Sequence, residues 1–322
     1  MMTLFVNPVT RRLRSGWRAL IFFSALSLPN LLLSLFAGKT SAPASANAGN
    51  APSFAVDWAM MAVYALMIAW VITVSIACLR WLDGLSWRAL GYQFHQGWSR
   101  DLGLGLLIGA AMIALALALQ MLGGGTRLQW RGDALGLILR EMLAATLLLW
   151  LAAAFEELLF RGYAFQTLLR DLPAWVPVIG LAAFFGLAHW TNPSRTNFST
   201  LNTALAGVWL AAAVLRTRNL WLATGLHFSW NWTMGVLFGL PVSGMRLPHS
   251  LFFATSETPL WLTGGSYGSE GGATATLAFT LGALWLWRTA TLRVASQTES
   301  ALSDQSLNHS PDDLISRQLS PR

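Results

Sequence analysis

The sequence predicts an all-α membrane protein, a polytopic bundle of about eight transmembrane helices with both termini in the cytoplasm. Its composition is one reason, because 55% of the 322 residues are hydrophobic and only 11% are charged, whereas soluble domains carry about 25% charged residues. The 17 Trp residues are a second reason, since Trp is enriched at membrane interfaces. The third is a series of long apolar runs, because a helix needs about 20 apolar residues to cross about 30 Å of hydrocarbon.

Eight such runs are predicted to be membrane spans. The first three contain no charged residue, the fourth is interrupted by Arg140 and Glu141, and the sixth and eighth are short. In chain order the spans are Ala19–Ala37, Trp58–Leu79, Leu102–Leu122, Ala134–Phe155, Leu172–Trp190, Leu201–Leu215, Asn219–Leu240 and Ala273–Trp287.

The distribution of basic residues predicts the orientation. If the N-terminus is cytoplasmic, 15 of the 21 Lys and Arg residues fall on the cytoplasmic side and one, Arg140, falls within a span. This asymmetry follows the positive-inside rule and places both termini in the cytoplasm. The remaining five, on the exterior side, are Lys39, Arg127, Arg131, Arg195 and Arg246.

Two domains are predicted: a transmembrane domain over residues 1–295 and a polar, disordered cytoplasmic tail over residues 296–322. The sequence Ala44-Ser45-Ala46 after the first span resembles a signal-peptide cleavage site. The apolar run before it has about 19 residues, longer than the usual 7–15, which favours an uncleaved anchor. Residues 38–53, rich in small and polar residues, are predicted to form an exterior loop.

Charge and cysteine content exclude several kinds of partner and site. The net charge of +7 is expected to bring basic loops against anionic lipid, and no nucleic-acid partner is predicted. Cys78 is the single cysteine of the sequence, so an intramolecular disulfide and a cysteine-based metal cluster are both excluded.

The chemistry is expected where ionisable residues lie inside apolar helices, because each costs at least about 2.5–3.5 kcal/mol in a bilayer. Glu157 and Arg161 are four residues apart, with the acid first, which favours an ion pair. Glu156 points about 100° away around the same helix. It is therefore left as a general base whose pKa burial would raise. A polar helix end at the membrane surface is the alternative interpretation of this segment.

Two further polar motifs occur in later spans. His189 ends an apolar helix, where a single His often has only a structural role. His227 and Asn231 share one helical face, and an aromatic-rich interfacial patch would also explain them. Taken together, a carboxylate base, two His and an Asn are the groups that activation of water and stabilisation of an oxyanion require.

These three motifs resemble those of the CAAX prenyl protease and bacteriocin-processing (CPBP, or Abi) family. The resemblance implies an eight-helix intramembrane endopeptidase, with a protease core over about residues 134–240 and a cavity that opens toward the cytoplasm. It is expected to hydrolyse peptide bonds near the cytoplasmic face with a glutamate-activated water. The motifs that carry it, in this order, are Glu156-Glu157-x-x-x-Arg161, Phe185-x-x-x-His189 and His227-x-x-x-Asn231.

The resemblance also implies a role for each residue. Glu156 would activate water with help from His189, and Glu157 with Arg161 would fix the local structure. His227 and Asn231 would stabilise the oxyanion. Zinc bound by Glu156, His189 and His227 stays open, although a metal-free mechanism is favoured because the spacing is not that of a His-Glu-x-x-His helix.

Other interpretations of the chain are a non-catalytic immunity or scaffold protein that keeps the fold, and a proton-coupled transporter. The sequence lacks the His-Glu-x-x-His and Gly-x-Gly-Asp motifs of other intramembrane proteases. Ser243-Gly244, the only candidate for a serine protease, is assigned to an exterior loop. The expected partners are membrane lipid and a peptide or membrane-protein substrate, and the expected location is the plasma membrane of a bacterium.

Overall fold

A computed structural model describes residues 2–8, 11–36, 58–132, 135–256 and 259–298. The predicted exterior loop over residues 38–53 and the tail residues 299–322 lie outside these ranges. The first residues of the predicted tail are described, and they are anchored. Thr298 accepts a hydrogen bond from Gln93 at 2.7 Å, and Gln297 accepts one from the backbone N–H of Gln96 at 2.8 Å.

The described chain is predominantly helical. A two-stranded antiparallel sheet pairs β1 (Thr126–Trp130) with β2 (Phe252–Ser256), in the register Thr126 opposite Ser256. The helices are α1 (Met2–Phe5), α2 (Ser15–Phe36), α3 (Trp58–Cys78), α4 (Trp98–Leu122), α5 (Leu135–Glu157), α6 (Tyr163–Asp171), α7 (Trp175–Ala188), α8 (Asn197–Thr217), α9 (Trp221–Trp232), α10 (Leu260–Thr263) and α11 (Ala273–Arg288).

Each of the eight predicted spans overlaps one of these helices. Four helical stretches of the described residues are long and apolar enough to cross a membrane, judged by length and composition alone, while α7 is apolar but shorter. The protein is therefore a helical membrane protein, and the number of crossings and their orientation remain predictions. The four stretches are Trp58–Asp83, Trp98–Leu122, Gly136–Asp171 and Asn197–Thr217.

The helix that contains the fourth predicted span, Ala134–Phe155, continues well beyond Phe155. After α5 the chain passes through a π-helical turn, Leu158–Gly162, and enters α6 without a loop. Most of α6 is buried, so polar residues such as Gln166 and Thr167 face the protein interior. They lower the hydrophobicity of the segment, which is why it was not predicted as part of the span. This continuation leaves Glu156 about 22 Å of helix length from Asp171, well inside the structure.

Charged residues concentrate at the end of the bundle where α6 finishes. Asp83, which is fully buried, pairs with Arg18 of α2 and lies 3.0 Å from Arg170 of α6. Arg18 also contacts Asp171 at 3.1 Å. Because a buried charge is tolerated only when it is paired, this cluster fixes α2, α6 and the turn after α3 to one another.

The opposite end is built from the sheet and a glycine-rich loop. β1 follows the C-terminus of α4, and β2 precedes the loop 264–272. Gln120, in the last turn of α4, donates hydrogen bonds to Ser269 at 3.1 Å and to Thr274 at 2.8 Å. The 25 residues of α4, about 37 Å of helix, therefore separate this end from the charged cluster.

Close helix packing between α4 and α9 depends on small residues. A Cβ atom added to Gly105 would lie 2.9 Å from the Cα of Gly225, and one added to Gly225 would lie 3.0 Å from the Cα of Gly105. Backbones that approach this closely are typical of membrane helix pairs, which associate through small residues. The contact matters for function because α9 carries His227 and Asn231.

Replacing Gly105 by Ala is expected to destabilise the protein by about 1–3 kcal/mol, because the added methyl group overpacks the contact with α9. Gly103→Ala on the same helix is the matched control, since nothing lies within 4 Å of its Cβ position and Ala has the higher helix propensity. Thermal unfolding of the two variants in the same detergent measures the difference. Equal midpoints would contradict the close contact.

Candidate active site

A cavity of about 310 Å³ lies between α5, α7, α8 and α9. Four of the six predicted site residues line it: Glu156, His189, His227 and Asn231. The other two, Glu157 and Arg161, lie behind its wall and are 0% and 1% exposed. Residues that are far apart in sequence, on α5, at the end of α7 and on α9, therefore meet in one cavity.

Glu156 occupies the last turn of α5 and faces both histidines. Its Oε2 atom lies 3.8 Å from Nε2 of His189 and 3.8 Å from Nε2 of His227. The same oxygen is buried and has no hydrogen-bond partner among the described residues. Buried polar atoms are normally hydrogen-bonded, so this oxygen is an exception that a bound molecule in the cavity could satisfy.

The orientation of each imidazole is fixed by its Nδ1 atom. In His189, Nδ1 donates to the carbonyl oxygen of Phe185 at 2.8 Å. In His227, Nδ1 donates to Oε1 of Glu157 at 2.9 Å. Both acceptors are oxygens without a proton to give, so Nδ1 carries the hydrogen in each ring. Each imidazole therefore directs its Nε2 atom toward Glu156.

Glu157 joins two of the sequence motifs. Its Oε1 atom also accepts a hydrogen bond from Nη1 of Arg161 at 3.2 Å, at the predicted four-residue spacing. Arg161 is held in turn by the carbonyl of Gly207 at 3.3 Å and by the ring of Phe185, whose centroid lies 4.4 Å from the guanidinium carbon. The guanidinium thus compensates the buried carboxylate, and the carboxylate orients His227.

Asn231 lies one helical turn after His227 on the same face. Its Oδ1 atom is buried without a hydrogen-bond partner in the described part of the chain. Trp209 and Trp230 line the same cavity, and each has a buried Nε1 atom that likewise lacks a partner there. The wall around Glu156 therefore offers several polar groups that a bound polar molecule could satisfy.

The donor atoms around Glu156 are of the types that bind zinc, but their arrangement is not that of a metal site. Two Nε2 atoms and a carboxylate oxygen converge, and zinc binds such atoms at about 2.0–2.2 Å. The described residues nevertheless contain no group of three or more His, Cys, Asp or Glu side chains arranged to hold a metal ion. No step of the mechanism below is therefore assigned to a metal.

Sequence reasoning missed part of the cavity wall. Ser243, which was set aside as an exterior-loop residue, lines the cavity together with Glu270 and Asn192. Ser243 donates from both its backbone N–H and its hydroxyl to Oε2 of Glu270, each at 2.8 Å. A lone carboxylate within the glycine-rich segment 264–272 was the signal in the sequence that could have indicated this position.

The fold and the cavity define an integral membrane protein with a buried carboxylate–histidine site. Residues 138–233 match the family model described as Rce1-like, type II CAAX prenyl endopeptidase. No curated protein and no solved structure matches the chain. The match confirms the resemblance to the CPBP family and covers all six predicted site residues. Because that family consists of proteases, the match supports the assignment of the chain, at family level, to the CAAX-type proteases.

Arg161→Ala is expected to lower the free energy of unfolding by about 3–5 kcal/mol, because it leaves the carboxylate of Glu157 buried without its cation. Arg140→Ala is the matched control on the same helix system. Its side chain is 75% exposed in a pair with Glu141, whose side chain is 19% exposed, so this replacement leaves no fully buried carboxylate without a cation. The yield of folded protein and the thermal unfolding midpoint measure both effects. An Arg161→Ala protein as stable as Arg140→Ala would contradict the pairing.

Proposed function

We propose that the protein is an intramembrane endopeptidase of the CAAX-protease type that hydrolyses peptide bonds with a water molecule activated by Glu156. The observation that carries this proposal is the convergence of Glu156 Oε2 with the Nε2 atoms of His189 and His227 in one cavity. The 3.8 Å separations are too long for direct hydrogen bonds, and they suit a water that bridges the three groups.

In the proposed reaction, Glu156 accepts a proton from this water while the oxygen attacks the carbonyl carbon of the peptide bond. The carbonyl becomes a tetrahedral oxyanion, which the amide of Asn231 and the protonated form of His227 stabilise by hydrogen bonds. The proton held by Glu156 then passes to the leaving nitrogen, directly or through His189. The C–N bond breaks, and the products are a carboxylate and an amine.

Glu157 and Arg161 act in this scheme without touching the substrate. By accepting the Nδ1 hydrogen of His227, Glu157 holds the ring in place and stabilises its charged form. Arg161 pairs with Glu157 and compensates its buried charge. These two are therefore positioning residues, and their replacement is expected to affect folding as well as turnover.

The same proposal places the charged end of the bundle, with Arg18 and Arg170, in the cytoplasm of a bacterial cell, because basic residues favour that side. Glu156 lies about 22 Å of helix length from Asp171 at that end. A substrate segment that arrives from the cytoplasm therefore has to enter the membrane region to reach it. A prenylated peptide, a bacteriocin leader and another membrane protein all remain candidates for that segment.

Glu156→Gln is expected to lower peptide cleavage by at least about 100-fold without changing the fold, because the amide cannot accept the proton of water. His189→Ala is expected to reduce cleavage as well, and Glu141→Gln serves as the control on the same helix. Purified proteins in liposomes are incubated with a mixed peptide library, with and without a chelator, and the products are identified by mass spectrometry.

Full cleavage by Glu156→Gln would contradict the proposed base. Activity that a chelator removes and zinc restores would contradict the metal-free reaction. If a phenotype of the intact cell survives in Glu156→Gln at normal protein level, the non-catalytic scaffold is favoured instead. Proton-coupled flux in vesicles would favour the transporter.

A further inference from the structure

We propose that Glu270 forms a cation-binding subsite in the cavity wall, which selects substrates that carry a Lys or Arg side chain near the peptide bond that is cut. The proposal extends the proposed function by naming a substrate feature. It stands on the position of a carboxylate outside all three sequence motifs, in a segment that the family match over residues 138–233 does not include.

The carboxylate of Glu270 is fixed on one side and open on the other. Both of its hydrogen bonds among the described residues, from the backbone N–H and the hydroxyl of Ser243, go to Oε2. Glu270 also belongs to the lining of the cavity that contains Glu156 and His189. Oε1 is therefore available to a donor inside the cavity, while Oε2 keeps the group in place.

The loop backbone is also held by hydrogen bonds that do not involve the carboxylate. Asn202 of α8 already holds the loop backbone, donating from Nδ2 to the carbonyl of Glu270 at 2.8 Å and to that of Gly272 at 2.9 Å. Thr276 in turn fixes the amide of Asn202 by donating to its Oδ1 at 2.7 Å. A neutral Gln at position 270 could accept both bonds from Ser243, so they do not by themselves explain a carboxylate.

Glu270 is partly buried, and a carboxylate that loses water without gaining a cation is unfavourable. Glu270 forms no ion pair with an Arg or Lys among the described residues. Burial raises the pKa of the Glu270 carboxyl, while the bonds from Ser243 and the nearby His189 lower it. A substrate ammonium or guanidinium group would favour the ionised form and would gain charge-assisted hydrogen bonds.

The remaining groups of the cavity also favour a cation. Glu156 adds a second carboxylate, and the positive charge of Arg161 is already engaged by Glu157 behind the wall. The other titratable groups that interact with Glu270 are His189, His227 and Tyr267. An anionic substrate group would therefore be repelled by two carboxylates, whereas a cationic one would be attracted by both.

The first experiment measures binding without catalysis. Glu156→Gln protein in detergent is titrated with fluorescent apolar octapeptides, blocked at both ends, in which one Lys is moved along the sequence and compared with norleucine at the same position. At the best position, Lys is expected to improve binding about tenfold or more, the range of charged hydrogen bonds. Adding Glu270→Gln is expected to abolish this preference, and adding Glu270→Asp is expected to retain part of it.

The second experiment measures kcat/KM for the same peptides with protein that retains Glu156. Glu270→Gln is expected to lower the Lys-to-norleucine ratio about tenfold or more, with the norleucine peptide affected less than about threefold. A Lys preference that is absent, or unchanged by Glu270→Gln, overturns the subsite even if cleavage occurs. Conversely, binding that depends on Glu270 in a protein that cuts no peptide supports the subsite and contradicts the proposed function.

Discussion

Glu157 is the residue on which the rest of the site depends, because its buried carboxylate is shared by Arg161 and His227. With 0% exposure, it could not remain ionised in an apolar bundle without a compensating cation. Arg161 supplies that cation from the next turn, and its own burial is compensated by the carbonyl of Gly207 and the ring of Phe185. The requirement to neutralise one charge thus links α5, the π-helical turn, α8 and α7, and the remaining bond of Glu157 sets the direction of His227.

The π-helical turn explains how adjacent residues of one helix serve different purposes. Glu156 and Glu157 end α5, and Arg161 lies in the turn Leu158–Gly162 that follows. π-helical turns inside α-helices frequently occur at functional sites. Here the turn keeps the Arg161 guanidinium against Glu157, while Glu156 remains directed into the cavity. A chain that ended its helix at Phe155 would leave both carboxylates at a surface, where neither would need a partner.

Much of the helical framework could be predicted from the sequence, because the spans depend on continuous apolar runs that need no tertiary information. The predicted Ala273–Trp287 and the observed Ala273–Arg288 differ by one residue. The extension of α5 into α6 could not be predicted in this way. Buried polar residues such as Gln166 lower the apparent hydrophobicity of a segment whose environment is set by packing against α2 and α7. The local motifs, whose residues are four positions apart, were visible because a helix alone brings such residues together.

Glu270 was not predictable by the same reasoning, because its position in the cavity depends on contacts across large sequence separations. Asn202 holds the loop backbone from 68 residues away, and Ser243 approaches the carboxylate from a second loop 27 residues away. Gly244 makes the second loop possible, since its φ of +87° and its approach to the carbonyl of Pro193 leave no room for a Cβ atom. Neither loop has a periodic pattern that would reveal its contacts.

The two carboxylates of the cavity are therefore positioned by different parts of the fold, Glu156 by helices and Glu270 by loops. Glu156 belongs to the helical framework that the family match covers, and its surroundings are suited to chemistry on any peptide bond. Glu270 belongs to loops beyond that match, where substitutions are tolerated more readily than in packed helices. This division would allow related proteins to keep one reaction while changing the residue that faces the substrate. Specificity in this chain is therefore expected to depend on the loops, and turnover on the helices.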